Sequence, residues 1–506
     1  MFMENLTPAA KDLVSSISNL YQEKLAWENE PKIHSRETIS FFSFLYERLR
    51  NFVDYQEEHL LRRRAIQRAL NRRLLFPQPS EETARGLILE LIRARYLRNN
   101  AIPQTKINDT AQIIEKYVAV AQNVPELRDL LIGCAAREIE ADLTLDPELA
   151  LLLFATKIFK EKILVKDDLL LFVALEEALS RADEATVRYH LLKLLAPNLN
   201  NSEQILKTNQ EISNRLNNPD KDILVRRLRH EIAPFVILRD ILIQNEGNFA
   251  NIVASVEKFS EIVSQTTGLR YRKAAMNLRT AAIQSFIYIF LTKMIFAFVL
   301  EIPYDQLVLG RVNYLPLIIN LLFPPTFMML TTQTVTVPGN KNTQKIIQEL
   351  KNDFYMQPGF SLPTIAIDFL GRVRPFLDMT FTILYLLTFI IVFGGVVYIL
   401  NKFQFNLASI AVFFFFVSTV AFFAFRIRRN FGDLTITEEK EGLLNGLFNF
   451  VTYPFIRLGY YFSQALSQFN IFVLILDLLI EAPLKMLLEI IEEWFAFIRQ
   501  KQEEIL

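Results

Sequence analysis

Lys293 is the residue whose type and position raise a chemical question first. It lies in residues 281–300, an apolar run with no other charge before Glu301. An ionisable group inside such a run is a functional candidate by default. A lysine near the end of a membrane span can also lay its stem along the helix and carry its charge to the interface. Lys293 sits in the outer half of its run, so the sequence favours this snorkelling role, and replacing it with leucine should change little. If it pairs inside a bundle instead, Asn320 in the next apolar run and Asp378 at the start of the third are the candidate partners. Asn320 by itself suits a helix-to-helix hydrogen bond.

Six arginines form the second group: Arg62, Arg63, Arg64, Arg68, Arg72 and Arg73. Arg64, Arg68 and Arg72 step by four and share one helix face, while Leu61, Ala65, Ile66, Ala69, Leu70 and Leu74 supply an apolar side. The commonest role for such a helix is a solvated charged face. The other candidates are contact with anionic lipid or with an acidic protein partner. Aromatic residues do not interleave the arginines, and the formal net charge is zero, so nucleic acid is not an expected partner. An opposite pattern appears near the end of the chain. Asp477, Glu481, Lys485, Glu489 and Glu493 step by four, interrupted by Pro483. Asp477, Glu481, Glu489 and Glu493 are read as an acidic stripe facing a protein surface, with the basic helix as one possible mate.

The catalytic vocabulary is sparse. His34, His59, His190 and His230 lie far apart with no ligand spacing, and His230-Glu231 is not part of an HExxH motif. There is no phosphate-binding GxxxxGK[ST], no GxGxxG and no GxSxG nucleophile elbow. One cysteine, Cys134, leaves no partner for a disulfide within the chain. No cofactor, metal or catalytic set is expected, and the reading is non-enzymatic.

The elements that must hold these residues follow from hydropathy. Phe376–Leu400 carries one charge, Asp378, and Leu407–Phe425 carries none before Arg426, Arg428 and Arg429. Each exceeds the roughly 18 apolar residues that cross a bilayer, where only a helix satisfies its own backbone. Phe413–Phe416 points to every side of its helix. Two further spans are placed at 281–300 and 313–332, the second interrupted by Pro316, Pro324 and Pro325. Residues 1–280 have helical periodicity, few glycines (14 in the chain) and no defensible repeat. The expected fold is all-α: a cytosolic irregular helical bundle over 1–280, a four-helix transmembrane domain over 281–430 with spans at 281–300, 313–332, 376–400 and 407–425, and amphipathic interfacial helices over 441–506.

Lysine and arginine counts set the orientation. Arg270, Arg272, Lys273 and Arg279 precede the first span. Lys341, Lys345, Lys351, Arg372 and Arg374 lie in the segment from Thr331 to Arg374, read as a polar loop, and three arginines follow the fourth span. The other two links hold only Arg311 and Lys402. The positive-inside rule then puts both termini in the cytoplasm of a multi-pass plasma-membrane protein. Met1–Lys24 lacks the basic and apolar regions of a cleavable signal. The aromatic stretch after Glu441 is read as interfacial, with a fifth span as the alternative. The expected function is a membrane-anchored scaffold or adaptor that binds a protein partner, or another copy of itself, through its cytosolic helices. The alternative is a small channel or transporter. Glycines are confined to Gly394-Gly395 within the spans and the two halves are unlike, which argues against a repeat-built transporter.

Overall fold

The computed structural model describes residues 5–35, 47, 58–163, 165, 167–196, 202–245, 247–333, 338–356, 375–432, 434–436, 443–468, 494 and 498. It is all-α, with no strand among the described residues. The N-terminal helices are α1 (Pro8–Glu28), α2 (Glu58–Arg73), α3 (Ser80–Arg93), α4 (Lys106–Asn123), α5 (Arg128–Thr144), α6 (Glu148–Lys162), α7 (Asp168–Ser180), α8 (Glu184–Leu195), α9 (Ser202–Leu216), α10 (Pro219–Leu228), α11 (Ala233–Gln244) and α12 (Phe249–Val253). Polar caps start several of them. Thr7 accepts from the amide of Ala10 with Pro8 opening α1, and Asp167, Asp183 and Asn218 cap α7, α8 and α10.

Helix α13 (Val256–Phe296) joins the two halves of the molecule. Its 41 residues extend about 60 Å at ~1.5 Å per residue. Phe259 and Val263 near its start are fully buried in the N-terminal core, and its far end is mostly apolar, with Lys293 in its last turn. After it come α14 (Tyr314–Gln333), α15 (Asn340–Phe354), α16 (Pro375–Lys402), α17 (Leu407–Gly432) and α18 (Leu443–Gln468). Among the described residues, four helices are long and apolar enough to cross a membrane, within Val256–Val308, Tyr314–Thr331, Thr382–Lys402 and Leu407–Arg426.

Two features depart from the sequence reading. The segment between the second and third apolar helices is not simply a polar loop. It contains α15, whose Ile346, Leu350 and Phe354 are spaced by four and fully buried in the same core as α1–α12. Phe354 lies among Phe154, Phe259 and Phe249, with ring centroids 5.0, 4.9 and 6.3 Å away. Its last turn is stitched to the start of the chain: Thr7 N donates to Phe354 O at 2.9 Å and Met356 N to Asn5 O at 2.9 Å. The N-terminal core therefore extends past residue 280 to include residues 340–355 and Leu434. The start of α13, α15 and the residues after α17 all belong to one body, so the four apolar helices leave it and return to it in two hairpins.

The second departure is α18. It does not merely lie beside the bundle. Phe455 packs between Phe393 of α16 and Phe414 of α17, with centroids 5.3 and 5.7 Å away, at the middle of those helices. Gly459 makes the approach possible, because a Cβ there would stand 2.0 Å from the carbonyl oxygen of Ser418.

Candidate functional site

The most unusual chemistry lies in the apolar bundle. Lys293 does not snorkel. Its side chain is fully buried, its ammonium is ion-paired with the carboxylate of Glu301, and its Nζ lies 4.6 Å from the ring centroid of Phe416 on α17. An eight-residue separation on a regular helix would leave the two side chains about 80° apart. A π-helical turn over Ala297–Glu301 inserts one extra residue, which rotates Glu301 back onto the face of Lys293. A second π-helical turn follows at Asp305–Leu309. Such turns concentrate at functional sites.

Glu301 also accepts from Asn320 Nδ2 of α14 at 3.2 Å, and the same amide donates to the backbone carbonyl of Ser409 at 3.1 Å. Both neighbours of this group are acceptors, so it must be the NH₂ end of the amide. Asn320 Oδ1 is thereby turned away from them, buried and without a hydrogen-bond partner among the described residues. Asn320 thus links three helices, as its sequence position suggested, but through Glu301. Toward the links between helices, buried Asp305 accepts from Asn406 Nδ2 at 2.8 Å and from the amide of Asn313 at 3.3 Å. Asn406 Oδ1 in turn caps α17 through the amide of Ser409 at 2.8 Å. Glu301, Asp305 and Asn406 were not singled out in the sequence. Glu301 read there as a charge just beyond a span. For Asp378 only the backbone, within α16, is described.

The arginines of the basic helix are paired within the chain. Every arginine of the group meets a carboxylate of the chain itself. Arg62 pairs with Glu140 at 2.9 Å, Arg68 with Glu47 at 2.9 Å, Arg72 with Glu90 at 2.5 Å and Arg73 with Glu90 at 3.3 Å. Arg63 and Arg64 both reach Asp183. The apolar side of α2, with Ile66, Ala69 and Leu70, is sealed in the core. This arginine face is an internal seam between α2, α3, α5 and α8. The acidic stripe Asp477, Glu481, Glu489 and Glu493 lies outside the described residues.

At the junction between core and bundle a single amide ties three segments. Asn342 Nδ2 donates to Tyr271 Oη of α13 at 2.6 Å and to the carbonyl of Leu434 at 2.7 Å, and its Oδ1 accepts from the amide of Ile436 at 2.8 Å. Farther along α15, Lys162 of α6 stands 2.7 Å from Asp353 and 3.2 Å from Glu349. Burial pushes the Asp353 carboxyl up to about 6 although the Lys162 ammonium pulls it down.

His190 is buried against Glu176, with Nδ1 2.6 Å from a carboxylate oxygen, and His34 meets the side chain of Asn100 at 3.1 Å. Burial pushes the Cys134 thiol up to about 12, so it carries little thiolate. Among the described residues no three His, Cys, Asp or Glu side chains are placed to hold a metal ion. No known family, curated protein or solved structure matches this chain.

Proposed function

We propose that this protein is a non-enzymatic, membrane-anchored scaffold or adaptor, with its helical core held rigidly against the cytoplasmic face of the plasma membrane. The observation that supports this reading most is the burial of α15 in the N-terminal core. A tethered domain would need only the one connection through α13. Here the core is fastened to both hairpins, by α13, by α15 and by the Asn342 clasp. That arrangement fixes the pose of a large helical surface relative to the bilayer. The apolar Leu75 and Phe76, 73% and 53% exposed at the end of α2, offer a contact for a protein partner on that surface.

A second reading, a small channel or transporter, draws on the buried Lys293–Glu301–Asn320 group, since ionisable residues inside spans often mark pathways. Two experiments separate the readings. Photo-crosslinkers at Leu75 and Phe76 should capture a discrete protein adduct in intact cells, and the purified chain in planar bilayers should give no conductance. A reproducible conductance with no adduct would reverse the preference.

Orientation has its own check. Buried Cys134 leaves a silent background for a membrane-impermeant maleimide. Lys402→Cys should label in intact cells, whereas Lys345→Cys should label only after lysis. Labelling of Lys345→Cys in intact cells would place the core outside.

A further inference from the structure

The chain treats two sets of cations in opposite ways. The arginines of α2 are all paired with acids of the core. Arg272, Lys273 and Arg279 of α13 and Lys341 and Lys345 of α15 are exposed, and no acidic side chain among the described residues pairs with any of them. Among the described acids near them, Asp240 holds Arg270 through two contacts of 2.8 Å, and Glu349 and Asp353 hold Lys162.

These five cations share one place. The hydrogen bond between Tyr271 and Asn342 fixes the basic stretch of α13 beside the start of α15. Arg272 and Arg279 are two helical turns apart and lie on one face of α13, and Lys341 and Lys345 are one turn apart on α15. Arg279 is the last charge before the apolar run, and Lys341 comes eight residues after the end of α14 at Gln333. The group therefore lies along the start of α15 and about 10 Å of α13, where the first hairpin leaves the core.

We propose that Arg272, Lys273, Arg279, Lys341 and Lys345 form a binding surface for the phosphate headgroups of anionic lipids in the adjoining leaflet. The inference rests on the membrane reading but not on the scaffold role. Charge complementarity and continuity with the apolar helices carry it. An anionic leaflet offers phosphates to these exposed cations, and each cation beside such a surface strengthens association about fivefold.

The test uses the full chain in bilayers of equimolar phosphatidylcholine and phosphatidylglycerol, with spin-labelled versions of each lipid reporting association at the protein boundary. The wild type should prefer the anionic label severalfold, and salt should weaken the preference. A variant with all five residues changed to glutamine should lose it. A variant that exchanges Lys and Arg at the five positions should keep it, as should Arg62→Gln/Arg64→Gln in the internally paired seam. Thermal unfolding in neutral bilayers separates loss of binding from loss of fold. Absence of a preference in the wild type, or an undiminished preference in a folded glutamine variant, overturns the proposal.

Discussion

Replacing Lys293 with methionine is expected to destabilise the apolar bundle by about 3–5 kcal/mol, because it leaves the Glu301 carboxylate buried and unpaired. Glu301 is 5% exposed and Lys293 is fully buried, so water cannot take over the lost partner. Methionine has a similar length and fills the space beside Phe416, which confines the effect to charge. The double substitution Lys293→Met/Glu301→Leu should recover most of the loss, since a buried ion pair is often replaceable by apolar residues of similar volume. It will not recover all of it, because Asn320 Nδ2 then keeps only the carbonyl of Ser409. Equilibrium unfolding of the full chain in mixed micelles measures the cycle. If the single variant is as stable as the parent, the ion pair does not hold the bundle, and the snorkelling expectation returns.

How much of this could be read from the sequence depends on how local each signal is. The apolar helices were legible because length and hydropathy alone define them, and Lys293 and Asn320 stood out as polar interruptions. The partner of Lys293 was not legible. Glu301 reaches it only through a π-helical turn, which no hydropathy pattern announces. The stepping of Arg64, Arg68 and Arg72 correctly marked one face of a helix. Their mates lie on other elements, with Glu47 21 residues from Arg68 and Glu90 18 residues from Arg72, while Arg64 reaches across to Asp183 at the start of α8, and a single sequence gives no access to such pairs. Helix α15 is a different case. The spacing of Ile346, Leu350 and Phe354 was visible, but it lay in a segment judged by its polar average, which hid the apolar stripe. The aromatic stretch around Phe455 was read as interfacial, yet its packing between α16 and α17 depends on Gly459 meeting the backbone at Ser418. That close contact is tertiary.

The same α15 stripe gives the second large effect. Phe354→Ala should remove about 3–5 kcal/mol from the docking of α15, the range for truncating a buried aromatic ring. Phe354 is fully buried, and the rings of Phe154 and Phe259 lie 5.0 and 4.9 Å from it. The cavity cannot close easily, because those neighbours sit on α6 and α13 and are held by the rest of the core. The cost falls on a particular connection. α15 is joined to the apolar hairpins at both ends, so weakening it should loosen the core from the bundle before either part unfolds. Hydrogen exchange on the full chain in nanodiscs is the appropriate measure. Amides of α15 and of Asn5–Thr7 should exchange many-fold faster, while those of α4–α8 and of the middle of α17 keep their protection. Ile390→Ala, at a position 64% exposed on α16, should leave all of these rates unchanged. Uniform acceleration across the core in Phe354→Ala would mean that α15 is an inseparable part of the N-terminal fold. Unchanged exchange in α15 would mean that it is not the fastening that holds the core at the membrane.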